Sequence, residues 1–153
     1  MEWVLLSYRL PREPSTPRIA LWRRLKKLGA LPIGDGVAAL PLDDRTREQF
    51  EWLADDVEQR GGEAVVWVAQ PASRREQRSL EERLLEAVSA DYERVAAAAA
   101  AAERHGPAAL RRSVTRLRRS LDEIRGRDYL GSQARRQAEA AVKRLAALEQ
   151  VRP

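Results

Sequence analysis

The spacing of apolar residues changes once along this chain, near Pro71, and the change separates two kinds of element. Before it, apolar positions come in short runs bounded by turn residues. Residues 3–8, Trp-Val-Leu-Leu-Ser-Tyr, stop before Pro11 and Pro14 and predict a buried strand. Ser15 or Thr16 then caps a helix with Pro17 at its first position, and Ile19, Trp22, Leu25 and Leu28 predict its apolar face. Gly29 ends it. Residues 30–33 and 37–40 predict a hairpin around Gly34-Asp35-Gly36, because glycine takes positive φ without a steric penalty. Asp43 and Asp44 cap a second helix with the stripe Phe50, Leu53, Val57, which Gly61-Gly62 stops. Residues 64–69 predict one more buried strand. The order βαββαβ over residues 1–70 predicts a ferredoxin-like domain, a four-stranded antiparallel sheet with two helices on one face.

After Pro71 the period becomes helical. Ser73-Arg74-Arg75-Glu76 has the form of a capping box. Leu80, Leu84, Val88, Tyr92, Val95 and Ala99 then follow at spacings of four and three and predict one long helix to about Arg104. Gly106-Pro107 breaks it. Leu110, Val114, Leu117, Leu121 and Ile124 form the seam of the next helix. Gly131-Ser132 starts a last one with Ala134, Ala138, Ala141, Leu145 and Leu148. Three helices with narrow seams and short connections predict an antiparallel three-helix bundle over residues 71–153. The expected class is therefore α+β.

Charge sharpens this division. Residues 1–70 hold 10 Lys/Arg and 11 Asp/Glu, whereas residues 71–153 hold 18 and 12, so the net +5 resides in the second half. Nearly all of that basic charge is arginine, whose fork suits phosphate and carboxylate partners. Arg111, Arg112, Arg116, Arg118 and Arg119 lie off the apolar seam of the second bundle helix, and Arg125, Arg127, Arg135 and Arg136 follow. Such a stripe can neutralise successive phosphates of duplex DNA. It can equally be a solvated face paired with Asp122, Glu123 and Asp128.

Other chemistry is sparse. The chain has no cysteine and one histidine, His105, so thiolate ligands, thiol nucleophiles and a multi-histidine metal site are excluded. No serine stands in a nucleophile elbow, and Gly34-Asp35-Gly36 is too short for a phosphate-binding loop. The acidic pairs Asp55-Asp56, Glu81-Glu82 and Asp122-Glu123 fall on predicted helix surfaces. No catalytic residue, metal or cofactor is expected. The four tryptophans Trp3, Trp22, Trp52 and Trp67 are expected in the core, with Trp52 also able to mark an exposed dimer surface. No apolar run is long enough for a membrane span and no signal peptide opens the chain, so a cytoplasmic location is expected.

The first 70 residues resemble the N-terminal domain family of the chromate resistance protein ChrB. The resemblance is carried by Trp3-Val4-Leu5-Leu6, Leu10-Pro11, Trp22-Arg23-Arg24-Leu25 and Leu28-Gly29-Ala30. It continues through Ala39-Leu40-Pro41, Phe50-Glu51-Trp52-Leu53 and Gly61-Gly62-Glu63-Ala64. Further on, Ile124-Arg125-Gly126-Arg127-Asp128-Tyr129-Leu130-Gly131 is similar to that family's Arg-x-Arg-Asp-aromatic segment. The resemblance implies regulation of chromate efflux operons and a first domain patterned like PaaX-type repressors and Cas2 proteins. Cas2-like nucleases end their first strand in a metal-binding aspartate, but here that strand ends Ser7-Tyr8-Arg9.

The expected function is thus a non-catalytic regulator of the chromate-resistance type. Its expected contacts to DNA or an anion are Arg23, Arg24, Arg111, Arg112, Arg116, Arg119, Arg125 and Arg127. Chromate or another oxyanion is a second expected partner, competing for the same guanidinium groups. Open sheet edges predict a homodimer. The alternatives are a protein-interaction module without nucleic acid, and a degenerate metal-dependent nuclease of the Cas2 type.

Overall fold

The computed structural model describes residues 1–152. It contains β1 (Trp3–Arg9), α1 (Thr16–Leu28), β2 (Leu31–Gly34), β3 (Val37–Pro41), α2 (Asp44–Gln59), β4 (Glu63–Ala69), α3 (Arg74–Ala102), α4 (Pro107–Gly126) and α5 (Ala134–Val151). The class is α+β. The four strands form one antiparallel sheet in the order β2-β3-β1-β4. Two compact units divide between Glu82 and Arg83, inside α3 rather than at the change of composition at Pro71. The first turns of α3 belong with the sheet because the Trp3 indole N–H donates to Gln77 Oε1 at 2.8 Å.

In the first unit Val4, Leu6, Ala38 and Leu40 are buried, as are Phe50, Leu53 and Val57 of α2, which packs on β1 and β4. Asp43 caps α2 reciprocally with Thr46: each backbone N–H donates to the other's side-chain oxygen, at 2.9 and 2.7 Å. Asp35-Gly36 forms the turn between β2 and β3. Gly36 has φ +69°, and a Cβ there would run into the Tyr8 carbonyl, because the Tyr8 N–H donates to Gly36 O at 2.8 Å.

Three expectations fail here. In α1 the buried residues are Leu21 and Leu25, whereas Ile19 and Trp22 are exposed. Steps of three residues lag a helical face by roughly 60° each, so Ile19 and Leu28 point to opposite sides. A step of four holds the face better, and Leu21 and Leu25 keep it. Of the four tryptophans only Trp3 is core; Trp22 and Trp67 are more than half exposed against expectation, and Trp52 is exposed as its alternative reading allowed. β4 is not a buried strand, since Val65, Trp67 and Val68 are all exposed at one edge of the sheet.

The second unit has one apolar core drawn from α3, α4 and α5. Val88, Tyr92, Val95 and Ala99 meet Leu110, Val114, Leu117, Leu121 and Ile124, together with Ala138, Val142 and Leu145. The seam of α4 is buried at every expected position. In α5 the expected Ala134, Ala141 and Leu148 are only partly buried, and Val142 and Ala146 carry the burial instead. The alanine-rich stretch of α3 places Ala99 and Ala102 in this core, where small side chains admit a close neighbour.

Candidate nucleic-acid interface

Helix α4 is built for two unlike surfaces. Gly106 precedes it and Pro107 sits in its first turn, so the missing proline N–H costs no hydrogen bond. Its apolar seam is committed to the core with Ser113 beside it, which leaves the arginines on the remaining, outward side. Arg111, Arg112, Arg116, Arg118 and Arg119 are all exposed. None of their side chains forms an ion pair or hydrogen bond among the described residues. At about 100° per residue, Arg112, Arg116 and Arg119 share an arc of roughly 60° on the side away from the seam. Arg111 and Arg118 make a second row beside them. The main row runs about 10 Å along the helix, roughly three base steps of one DNA strand.

Arg125 and Arg127, expected in the same set, are engaged otherwise. Arg125 donates to Asp122 at 2.7 Å and to Glu139 of α5 at 3.2 Å. Arg135 also donates to Glu139, at 2.6 Å, and that bond above all holds the Glu139 carboxyl below its usual range. Arg127 reaches back to α3 and donates to Asp91 Oδ2 at 2.9 Å, while Arg94 pairs with Asp91 from the same helix.

Beside this pair lies a second clasp. The buried Tyr92 donates its hydroxyl to Asp128 Oδ2 at 3.1 Å. Asp128 also accepts from the backbone N–H groups of Gly131 and Ser132, at 3.0 and 3.1 Å. The phenol is pushed up to about 12, first by burial and then by its hydrogen bond to Asp128. The neighbours Asp91-Tyr92 on α3 thus lock the neighbours Arg127-Asp128 after α4. No spacing rule exposes a contact between residues 36 apart in the chain. The only sequence signal was the Arg-x-Arg-Asp-aromatic segment itself, whose arginines and aspartate are here structural anchors of the helix connection.

Arg23 and Arg24 lie on α1, in the first unit, whereas the α4 row belongs to the second. Arg24 pairs with Asp56 of α2 at 3.5 Å. Arg23 is exposed. The ammonium of Lys26 sits 4.9 Å from the exposed Trp22 ring centre, a cation–π contact that spacing did not announce. Among the described residues no three His, Asp or Glu side chains converge as a metal set, and no helix is long and apolar enough to cross a membrane.

The family described as Protein ChrB, N-terminal, matches residues 18–105, from α1 to the end of α3. Protein ChrB of Cupriavidus metallidurans is 31% identical over 141 residues, which cover 90% of this chain and 43% of that protein. The chain therefore spans less than half the length of this relative. The α4 arginine face lies beyond the family match but inside the length aligned with the relative's segment as a share of this chain. No solved structure matches the chain.

Proposed function

This chain belongs to the ChrB N-terminal family, and on that premise we propose that it is a non-catalytic regulator of chromate resistance that binds duplex DNA through α4. The observation that carries the reading is the row Arg112, Arg116 and Arg119, exposed and without an acidic partner among the described residues. An arginine pays nothing to leave an ion pair it does not have, so its charge is fully available to a phosphate. Chromate, a tetrahedral dianion, competes for the same forks in this reading and releases the DNA. Arg125 and Arg127 then act as positioning residues, because their ion pairs fix the end of α4. The ferredoxin-like reading of the first unit rests on βαββαβ connectivity with strand order β2-β3-β1-β4. The antiparallel-bundle reading of the second rests on short connections and one shared core. A cytoplasmic location goes with a DNA partner.

The test is a titration with duplex DNA at two salt concentrations. Wild-type affinity is expected to fall steeply with salt. Replacing Arg112, Arg116 and Arg119 together by Ala is expected to weaken binding about tenfold or more and to flatten the salt slope by roughly one unit per lost phosphate contact. Salt-independent or absent wild-type binding overturns the reading. The protein-interaction alternative is favoured by one observation, the exposed Trp22 and Trp52 on the helices of the first unit. It predicts no DNA affinity at either salt concentration.

A further inference from the structure

The two edges of the sheet are not alike. β2 carries Pro32, which has no N–H to offer, and its pairing with β3 is irregular between Pro32 and Gly34. Both features blunt an edge against further pairing. β4 has neither. It pairs with β1 over seven consecutive residues without a shift, and it contains no proline.

The hydrogen-bond alternation tells which groups of β4 are open. The Tyr8 N–H donates to Gly36 O, and Glu2 O accepts from the Leu42 N–H, so the even residues of β1 bond towards β3. Its odd residues therefore bond towards β4, in the pairs Leu5 with Trp67 and Ser7 with Val65. The backbone N–H and C=O groups of Ala64, Val66 and Val68 are left pointing outward, with no strand beside them among the described residues.

We propose that this edge is where two copies of the chain join, β4 to β4 antiparallel, about a two-fold axis through Val66. Only one register matches all the open groups. With Val66 opposite Val66 of the second copy, Ala64 faces Val68 and Val68 faces Ala64, so all three outward residues are hydrogen-bonded at once. The same register sets Val65 opposite Trp67 in a pair whose backbones exchange no bonds, where side chains lie closest. Val65 is 48% exposed and Trp67 53% exposed in the single chain. An aromatic residue against a β-branched one is a favourable cross-strand pair. Trp67 is already held in place, since its indole N–H donates to Ser7 Oγ at 2.9 Å.

Charge selects the same occupant. From Ala64 to Ala69 no side chain is charged, so two identical strands approach without like-charge repulsion. Glu63 falls opposite Ala69 of the second copy rather than opposite its own counterpart. The apolar side-chain area available is on the order of 300 Å² per copy, the size at which patches mark interaction sites. It is well short of the roughly 800 Å² per partner of a standard stable interface. The dimer is therefore a weak one, forming in the micromolar range.

Two measurements test this on the full chain. In sedimentation velocity, wild type is expected to pass from the 17.3 kDa species to twice that mass as concentration rises through tens of micromolar. Val66→Pro removes only an outward donor, so the ladder to β1 survives and circular dichroism stays unchanged, while association weakens at least tenfold. Val65→Lys gives the same loss by placing a charge in the pair. For the second measurement the absence of cysteine is useful, because a single introduced thiol reports alone. Val66→Cys brings two thiols together across the axis, with Cα atoms about 5.5 Å apart, and forms a disulfide-linked dimer under mild oxidation. Thr115→Cys on α4 does not. A wild type that stays at 17.3 kDa up to several hundred micromolar overturns the proposal. So does association unaffected by both Val66→Pro and Val65→Lys, or cross-linking of Thr115→Cys ahead of Val66→Cys.

Discussion

At the scale of single residues, Asp128 carries the most consequence for its size. One carboxylate serves the Tyr92 hydroxyl and two backbone N–H groups at the start of the last connection. Asp128→Ala strands all three donors, one of them on a residue with no exposed surface. A buried donor without a partner costs more than a hydrogen bond gains. The expected loss is about 2–4 kcal/mol in urea unfolding. Tyr92→Phe alone is expected to cost about 1–2 kcal/mol, because the Asp128 carboxylate keeps its backbone donors. The double variant is then expected to be less destabilised than the sum of the two. Additive losses would show that the two residues do not depend on each other. The residue type at 128 was legible in the sequence as part of a recognisable segment. Its partner at Tyr92 was not, because burial of a tyrosine in a helix seam and its choice of acceptor are separate facts.

At the scale of elements, helix α1 shows how a plausible stripe can mislead. Counting apolar residues by threes selects Ile19 and Trp22, whereas the buried residues of the helix are Leu21 and Leu25. The consequence is measurable. Leu21→Ala is expected to cost about 2–4 kcal/mol, the range for a buried leucine emptied to a cavity. Trp22→Gln is expected to cost under about 1 kcal/mol, the value of an exposed cation–π contact with Lys26. Side-chain size predicts the reverse order, so a pair of thermal melts decides between them. β4 is the parallel case among strands. Its run Ala-Val-Val-Trp-Val-Ala has the composition of a strand covered on both faces. The fold places it last in the sheet with no further strand beyond it among the described residues, so the same apolar residues are exposed. α4 is the opposite case. Its seam alternates four and three without a break, and each position read as core is core, which in turn fixes the arginines outside.

At the scale of the whole molecule, charge and apolar surface are assigned to different units. The surplus of positive charge belongs to the second half and the uncharged open edge to the first. Their responses to salt should therefore separate. Raising salt from about 50 to 200 mM is expected to weaken DNA binding about 40-fold for three phosphate contacts, and more where Arg111 and Arg118 also take part, as counterion release requires. The same change is expected to leave β4 self-association unchanged within about twofold, since no charge lies between Ala64 and Ala69 and screening acts only on charge. If both respond alike, the arginines take part in association and the two surfaces are one. What the sequence alone determined was the order of elements, the change of period at Pro71, the α4 seam and the sign and location of the charge, because these depend on neighbours within a few residues along the chain. What only the tertiary structure decided was which arginines are already spent on Asp91, Asp122 and Glu139, which strand ends up at an edge, and that Tyr92 closes on Asp128. Those facts depend on residues far apart in sequence, and a local period carries no information about which distant carboxylate or strand will arrive beside it.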